Sequence, residues 1–136
     1  MRPRLPRIVR RRSAIHGYGV FAVEPIENDR RIVDYAGELI PRAEWMARAE
    51  RHRTAGRLWI FAVNRRWARD GSVGGSLARF VNHACRPNCR WEVVGKTIWI
   101  RAARAIRAGE ELTFDYATDS YHAIPCRCRP GCRTIL

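Results

Sequence analysis

The chain has 136 residues, 26 basic against 13 acidic, and a formal net charge of +13. That length suits one domain with a hydrophobic core, an apolar content of 46% excludes wholesale disorder, and the want of any apolar run of about 18 residues excludes a membrane-spanning helix. All the basic residues except Lys96 are arginines, so the surface should attract polyanions in a salt-dependent way.

The N-terminal MRPRLPRIVRRRS is basic and lacks an apolar centre, so it does not read as a secretory signal, and an intracellular setting is expected. HGYGVFA (residues 16–22) sets two glycines around an aromatic, which allows backbone to approach a ligand closely or simply makes a tight turn. RIVDYAGELI is rich in strand formers and predicts a buried strand and its turn. Pro41 then suits the first turn of a helix over PRAEWMARAERHR, with Glu44 four residues before Arg48 and Gly56 as the stop. RLWIFAVN predicts a short strand, and DGSVGGS a glycine-rich turn. FVNHACRPNC (residues 80–89) packs an Asn-His pair and two cysteines into ten residues, and by itself fits a metal knuckle, a disulfide corner or part of an active site. CRWEVVGKTIWIRAAR predicts a hairpin turning near Gly95 and Lys96, with Ile98 and Ile100 on one side and Trp99 on the other. In EELTFDYA, Leu112, Phe114 and Tyr116 share a face opposite Thr113 and Asp115. The Tyr116 hydroxyl is either satisfied by a backbone group or kept for catalytic hydrogen bonding. The fold class expected is β-rich, with short strands and one clear helix.

Five cysteines without an export signal favour metal binding over disulfides. CRCRPGC brings Cys126, Cys128 and Cys132 within seven residues. Structural zinc takes four tetrahedral ligands, so a fourth must come from elsewhere. Cys85 and Cys89 are candidates, with His83 and His122 as outsiders. The alternative is a reduced tail with no metal.

Taken in order, HGYGVFA, DYAGELI, ARFVNHACRPNC, GEELTFDY and CRCRPGC resemble the SET-domain protein lysine methyltransferases with a post-SET zinc tail, over nearly the whole chain. The resemblance implies a SET domain over residues 1–120 with a short insertion around 41–57, and a post-SET tail over 121–136. It implies a β-clip of small sheets with short helices, whose C-terminal segment threads beneath a loop as a pseudoknot, an exception to the unknotted rule. It implies S-adenosylmethionine as cofactor, contacted by Asn82 and His83 at the adenine part and by His16, Gly17, Tyr18, Gly19, Trp59, Arg79 and Arg127. Zinc would be held by Cys85, Cys126, Cys128 and Cys132, with Cys89 a packed residue outside the site. Cys128 and Cys132 enclose three residues where the family usually has four. Tyr116 matches the catalytic tyrosine and Tyr35 an active-site tyrosine, and the lysine channel would comprise Tyr35, Trp59, Phe61, Phe114 and Tyr116. Phe114 holds the Phe/Tyr switch position, which implies di- or trimethylation.

The implied partner is a protein carrying the target lysine, such as a histone, nucleoid or ribosomal protein. An acidic protein or nucleic acid could join it through the basic surface, no membrane is implied, and both monomer and dimer stay open. The rival reading is a non-catalytic, zinc-stabilised basic module that binds nucleic acid or an acidic protein. Such a binder has no need of Asn82, His83, Tyr35 and Tyr116 together. Methyl transfer to an amine requires neutral lysine, whose free pKa is about 10.4, and an apolar aromatic tunnel beside a sulfonium lowers that value.

Overall fold

The computed structural model describes residues 4–116 and 125–136. In chain order its elements are β1 (Ile8–Arg12), β2 (Tyr18–Ala22), β3 (Arg31–Asp34), β4 (Glu38–Pro41), α1 (Arg42–Thr54), β5 (Ile60–Ala62), β6 (Trp67–Asp70), a 3₁₀ helix (Leu77–Phe80), β7 (Asn82–His83), β8 (Cys89–Val94), β9 (Thr97–Ala102) and β10 (Glu111–Phe114). The strands form three small sheets in the orders β1-β2-β10-β7, β3-β9-β8 and β4-β6-β5. The fold is β-rich, as the patterning predicts, and no helix is long and apolar enough to cross a membrane.

Where periodicity is clean, the expected elements form. β9 alternates half-buried and buried positions, sending Ile98, Ile100 and Ala102 inward. β8 folds back on it with Val94 opposite Thr97 and Cys89 opposite Ala102. Lys96 is exposed in the turn, its ammonium over the Trp67 ring at 5.1 Å. α1 starts after Pro41, carries Glu44 in its first turn and basic residues in its last, and so opposes its own dipole at both ends. Glu44 pairs with Arg48 at 2.9 Å. The helix packs Ala49 onto Ile40, Ile60 and Ala68 of the third sheet.

Three strands lack a clean apolar pattern. β1 reads IVRRR, and its arginines hide a strand that is held by backbone pairing at a sheet edge. β6 alternates, but one of its two inward residues is an acid, Asp70. β7 has two residues, too few for any period. It nevertheless pairs in parallel with β10, Asn82 beside Thr113 and His83 beside Phe114. A hairpin cannot make such a contact, and it is this contact that carries the C-terminal segment to the Asn-His pair. The 120/121 boundary expected between domain and tail lies outside the described residues. Beyond it, Cys126 N–H donates to Thr134 O at 2.9 Å and Leu136 is buried, so the tail is folded against the domain.

Candidate functional site

Between β1 and β2 the chain turns through Ser13 to Gly17, closed by the Ser13 N–H donating to Gly17 O at 2.8 Å. Gly17 has φ +48°, a conformation side chains rarely adopt. At Gly19 the constraint is contact: a Cβ there would lie 2.2 Å from Glu111 Oε2. The Glu111 carboxylate fills that space and accepts from Ser13 Oγ at 2.8 Å and from Asn82 Nδ2 at 2.9 Å. The Asn82 amide also faces Tyr18 O at 3.0 Å and His16 O at 3.2 Å. One buried amide thereby ties the turn, β7 and β10 together.

That knot forms one wall of a cleft of about 210 Å³. His16, Gly17, Tyr18, Trp59, Arg79, Asn82, His83, Tyr116 and Arg127 all line it. The expected cofactor contacts therefore share one cavity, apart from Gly19, which is buried against Glu111. Phe80, Leu58 and Leu136 complete its apolar wall. Arg79 lays its guanidinium over Phe80 at 4.8 Å and Trp59 at 5.6 Å, while its buried Nε has no partner among the described residues. His83 Nδ1 accepts the Tyr116 N–H at 3.0 Å, and its Nε2 faces Cys85 Sγ at 3.6 Å. Burial lowers the His83 pKa, with nearby Asp115 opposing.

Beside the cleft lies an aromatic cluster centred on Phe61, whose ring is 4.9 Å from Tyr35, 5.3 Å from Tyr116, 5.6 Å from Phe114 and 5.9 Å from Trp91. Four of the five expected channel residues meet here. The fifth, Trp59, stands apart, packing on Phe80 at 5.9 Å and His52 at 5.9 Å. Its backbone still joins the cluster, because Tyr35 OH donates to Trp59 O at 2.7 Å. Tyr116 OH donates to Val81 O at 2.6 Å. Burial raises both phenol pKa values, so both tyrosines stay protonated near neutrality.

The thiols of Cys85, Cys126, Cys128 and Cys132 lie within 4.8 Å of one another. Cys85 Sγ is 3.9 Å from Cys126 Sγ and 3.8 Å from Cys132 Sγ. Four thiolates about 2.3 Å from a tetrahedral zinc would stand about 3.8 Å apart, so the cluster fits that ion. The three-residue loop after Cys128 does not keep Cys132 out. Hydrogen bonds from Thr134 hold the Cys132 thiol down to about 6, while burial pushes Cys126 up, a cost that a bound cation removes. Cys89 sits in the core instead, 1% exposed, with burial pushing its thiol up to about 12. His83 reaches only the edge of the cluster, and His122 lies outside the described residues.

Several contributors carry weak sequence signals. Glu111 and Ser13 are 98 residues apart and meet only through sheet pairing. Trp91 shares a face of β8 with the buried Cys89 two residues before it, but Val93 on the same face is exposed, so the pattern does not place Trp91 in the cluster. Asp70 and His52 form a buried pair at 3.1 Å behind Trp59, and no local pattern links a helix histidine to a strand acid.

Residues 17–117 match the sequence profile of the SET domain. The chain is 38% identical over 136 residues to a histone-lysine N-methyltransferase, H3 lysine-4 specific, of Eremothecium gossypii, and 36% identical over 136 residues to the Saccharomyces cerevisiae protein of the same name. Each alignment covers 92% of this chain but only 14% and 13% of the respective relative, so the chain spans a small part of their length. Among solved structures, the Chaetomium thermophilum polycomb repressive complex 2 contains a chain that is 30% identical, with a TM-score of 0.74, covering 85% of this chain and 16% of that one.

Proposed function

The chain belongs to the SET-domain family, and from that premise we propose that it is an S-adenosylmethionine-dependent protein-lysine N-methyltransferase. The observation that carries this reading is the double membership of Tyr116, which borders the cleft and also closes the aromatic cluster. A cofactor in one compartment and a lysine in the other would meet at its hydroxyl. A zinc-bound binding module gives no reason for that junction, which is why the non-catalytic reading is not favoured.

The cleft suits the cofactor on its own features: a buried donor at Arg79 Nε without a partner among the described residues, an open turn at Gly17 and a wall of apolar rings. His16, Tyr18, Asn82, His83, Arg79 and Arg127 would hold it, and when bound it supplies an electrophilic methyl group. Asn82, whose amide hydrogens go to the His16–Tyr18 turn and Glu111, would act by fixing that turn as well as by direct contact.

The chain's own residues account for the remaining steps. Phe61, Phe114, Trp91 and the two tyrosine rings strip water from the lysine side chain, which favours the neutral amine, while their faces still tolerate a cation. The amine's proton leaves to solvent before transfer. His83 is no base, since one ring nitrogen takes the Tyr116 N–H and the other faces Cys85. Tyr116 is no base either, because it stays protonated. Its hydrogen is committed to Val81 O, so the phenol oxygen is left as an acceptor that aims the amine, and rate would come mainly from alignment. Tyr35 repeats the arrangement against Trp59 O.

The curated relatives are named for histone H3, and a histone or histone-like basic protein is the substrate class we propose. Phe114 offers no hydroxyl to anchor a water at the channel end, which favours di- or trimethylation. Cys85, Cys126, Cys128 and Cys132 would hold a structural zinc. Incubation of the protein and cofactor with core histones and nucleoid proteins, read by intact-mass spectrometry, tests the reading. Increments of two or three methyl groups are expected. No increment on any basic protein, together with no cofactor-induced rise in melting temperature, would overturn it.

A further inference from the structure

The cleft opens onto a row of alternating guanidinium groups and aromatic rings. It begins on β1, where Arg12 lies over the Tyr18 ring at 5.4 Å and Arg10 over the same ring at 4.6 Å. Arg10 also reaches Phe80 at 5.0 Å. From Phe80 the row passes through Arg79 to Trp59, and Arg57 ends it, 4.6 Å from the Trp59 ring.

The outer end of this row is free. Arg10 and Arg12 are exposed, on an edge strand, and neither has a carboxylate within salt-bridge distance among the described residues. Several other arginines are engaged by acids: Arg4 and Arg7 hold Glu24, Arg48 holds Glu38 and Asp70, and Arg90 and Arg101 hold Asp29. What sets Arg10 and Arg12 apart from these is that aromatic rings, and not acids, hold them in place.

We propose that the strip around Arg10 and Arg12 binds the phosphodiester backbone of nucleic acid. A guanidinium lying over an aromatic face keeps its plane fixed and its N–H edge free, which is the edge that grips a phosphate. Positions two apart on a strand stand about 7 Å from one another, so two such edges repeat along a rigid line. A polymer with one charge per repeat suits a row of cations better than a side-chain carboxylate does, and arginine interleaved with aromatics is how single-stranded nucleic acid is commonly tracked. The site goes beyond the methyltransferase reading and binds without the cofactor. If that reading also holds, nucleic acid would resolve a difficulty of charge: a +13 protein and a basic substrate repel in solution but can share one polyanion.

Fluorescence anisotropy with labelled 20-nucleotide DNA and RNA, single-stranded and duplex, at 50 to 200 mM salt and without cofactor, tests the site. The Arg10→Gln/Arg12→Gln protein should bind about tenfold more weakly or worse, and the slope of log affinity against log salt should fall by about 2. Arg65→Gln/Arg66→Gln removes the same charge from the exposed turn between β5 and β6 and should change little. A preference among the four nucleic acids would identify the backbone geometry that the strip reads. Equal losses in the two variants would mean bulk charge and overturn the site. Poly-glutamate of equal charge that competes as well as DNA, through the same two arginines, would make it an acidic-protein site instead. No binding at 50 mM salt would remove it altogether. Thermal melts of both variants separate lost binding from lost folding.

Discussion

Tyr116 makes two kinds of contact with different expected costs. Its ring meets Phe61 at 5.3 Å, Phe114 at 5.0 Å and His83 at 5.3 Å, and its hydroxyl meets Val81 O. Tyr116→Phe keeps the rings and removes the acceptor proposed to aim the amine. Turnover should fall on the order of 10² to 10³-fold, while stability drops by only about 1 kcal/mol for the lost Val81 hydrogen bond. Single-turnover kinetics beside a urea melt checks both, and near-normal turnover in the folded variant would take Tyr116 out of the mechanism. Phe114 is 2% exposed among Phe61, Trp91 and Tyr116. Phe114→Tyr should shift the product toward monomethyl-lysine without abolishing turnover, as a mass-spectrometric time course would show. Wild-type protein that stops at one methyl with cofactor in excess would deny Phe114 that control. Both residues were legible in the sequence because Phe114 ends an alternating strand and Tyr116 continues its pattern two residues on, in a run that resembles a family motif. Glu111 lies in the same strand and was not: a carboxylate there looks like solvent-facing charge until Gly19, Ser13 and Asn82 are folded around it.

α1 is anchored to β6 mainly through polar contacts. Asp70, 2% exposed, takes His52 Nε2 at 3.1 Å, Arg48 Nη1 at 3.2 Å and Ser72 through both its N–H and its hydroxyl. Burial alone would raise the Asp70 pKa, but the hydrogen bonds from Ser72, Arg48 and His52 outweigh it and hold the carboxyl below its ordinary range. Its folded pKa is thus the lower one, so the stability it contributes is present above the unfolded pKa of about 3.9 and is lost as pH falls through the folded value. Asp70→Asn should cost about 3 kcal/mol at pH 7, because it leaves buried partners unmatched, and the gap from wild type should narrow below about pH 4. Urea titrations at pH 7, 4 and 3 measure this, and a gap that is independent of pH would mean that the loss is one of shape and not of charge. α1 and the β8–β9 hairpin were legible because the Gly56 stop, charge placement and alternation agreed there, although Pro41 precedes the helix as an extended residue of β4 and does not sit in its first turn. β1, β6 and β7 were not, because what stabilises them comes from other parts of the chain: a neighbouring strand's backbone, a helix histidine, and a parallel partner some thirty residues away in sequence.

Among the described residues, a tail closes over the larger of two hydrophobic clusters. Cys126 is buried against that core, its neighbour Arg127 lines the cleft, and Leu136 is sealed beneath. Cys128→Ser should release the metal, loosen this wall and weaken cofactor binding about tenfold or more, as calorimetry and metal analysis would report. An ordered, fully active protein with no detectable metal would remove the zinc assignment. Spacing alone pointed to Cys126, Cys128 and Cys132 and left the fourth ligand open, because that ligand comes from some forty residues away; the family resemblance singled out Cys85. The junction of cleft and aromatic cluster needed the fold, since Trp59 and Phe61 are two apart in the chain yet serve different compartments. The adjacency of Cys126 and Arg127 would also bind the proposed metal and the proposed cofactor into one thermodynamic cycle. If the metal raises affinity for the cofactor by some factor, the cofactor must raise affinity for the metal by the same factor. Neither ligand is then a fixed fitting: protein saturated with cofactor should surrender its metal to a chelator more slowly than bare protein, and cells rich in cofactor would keep more of this protein loaded when metal is scarce.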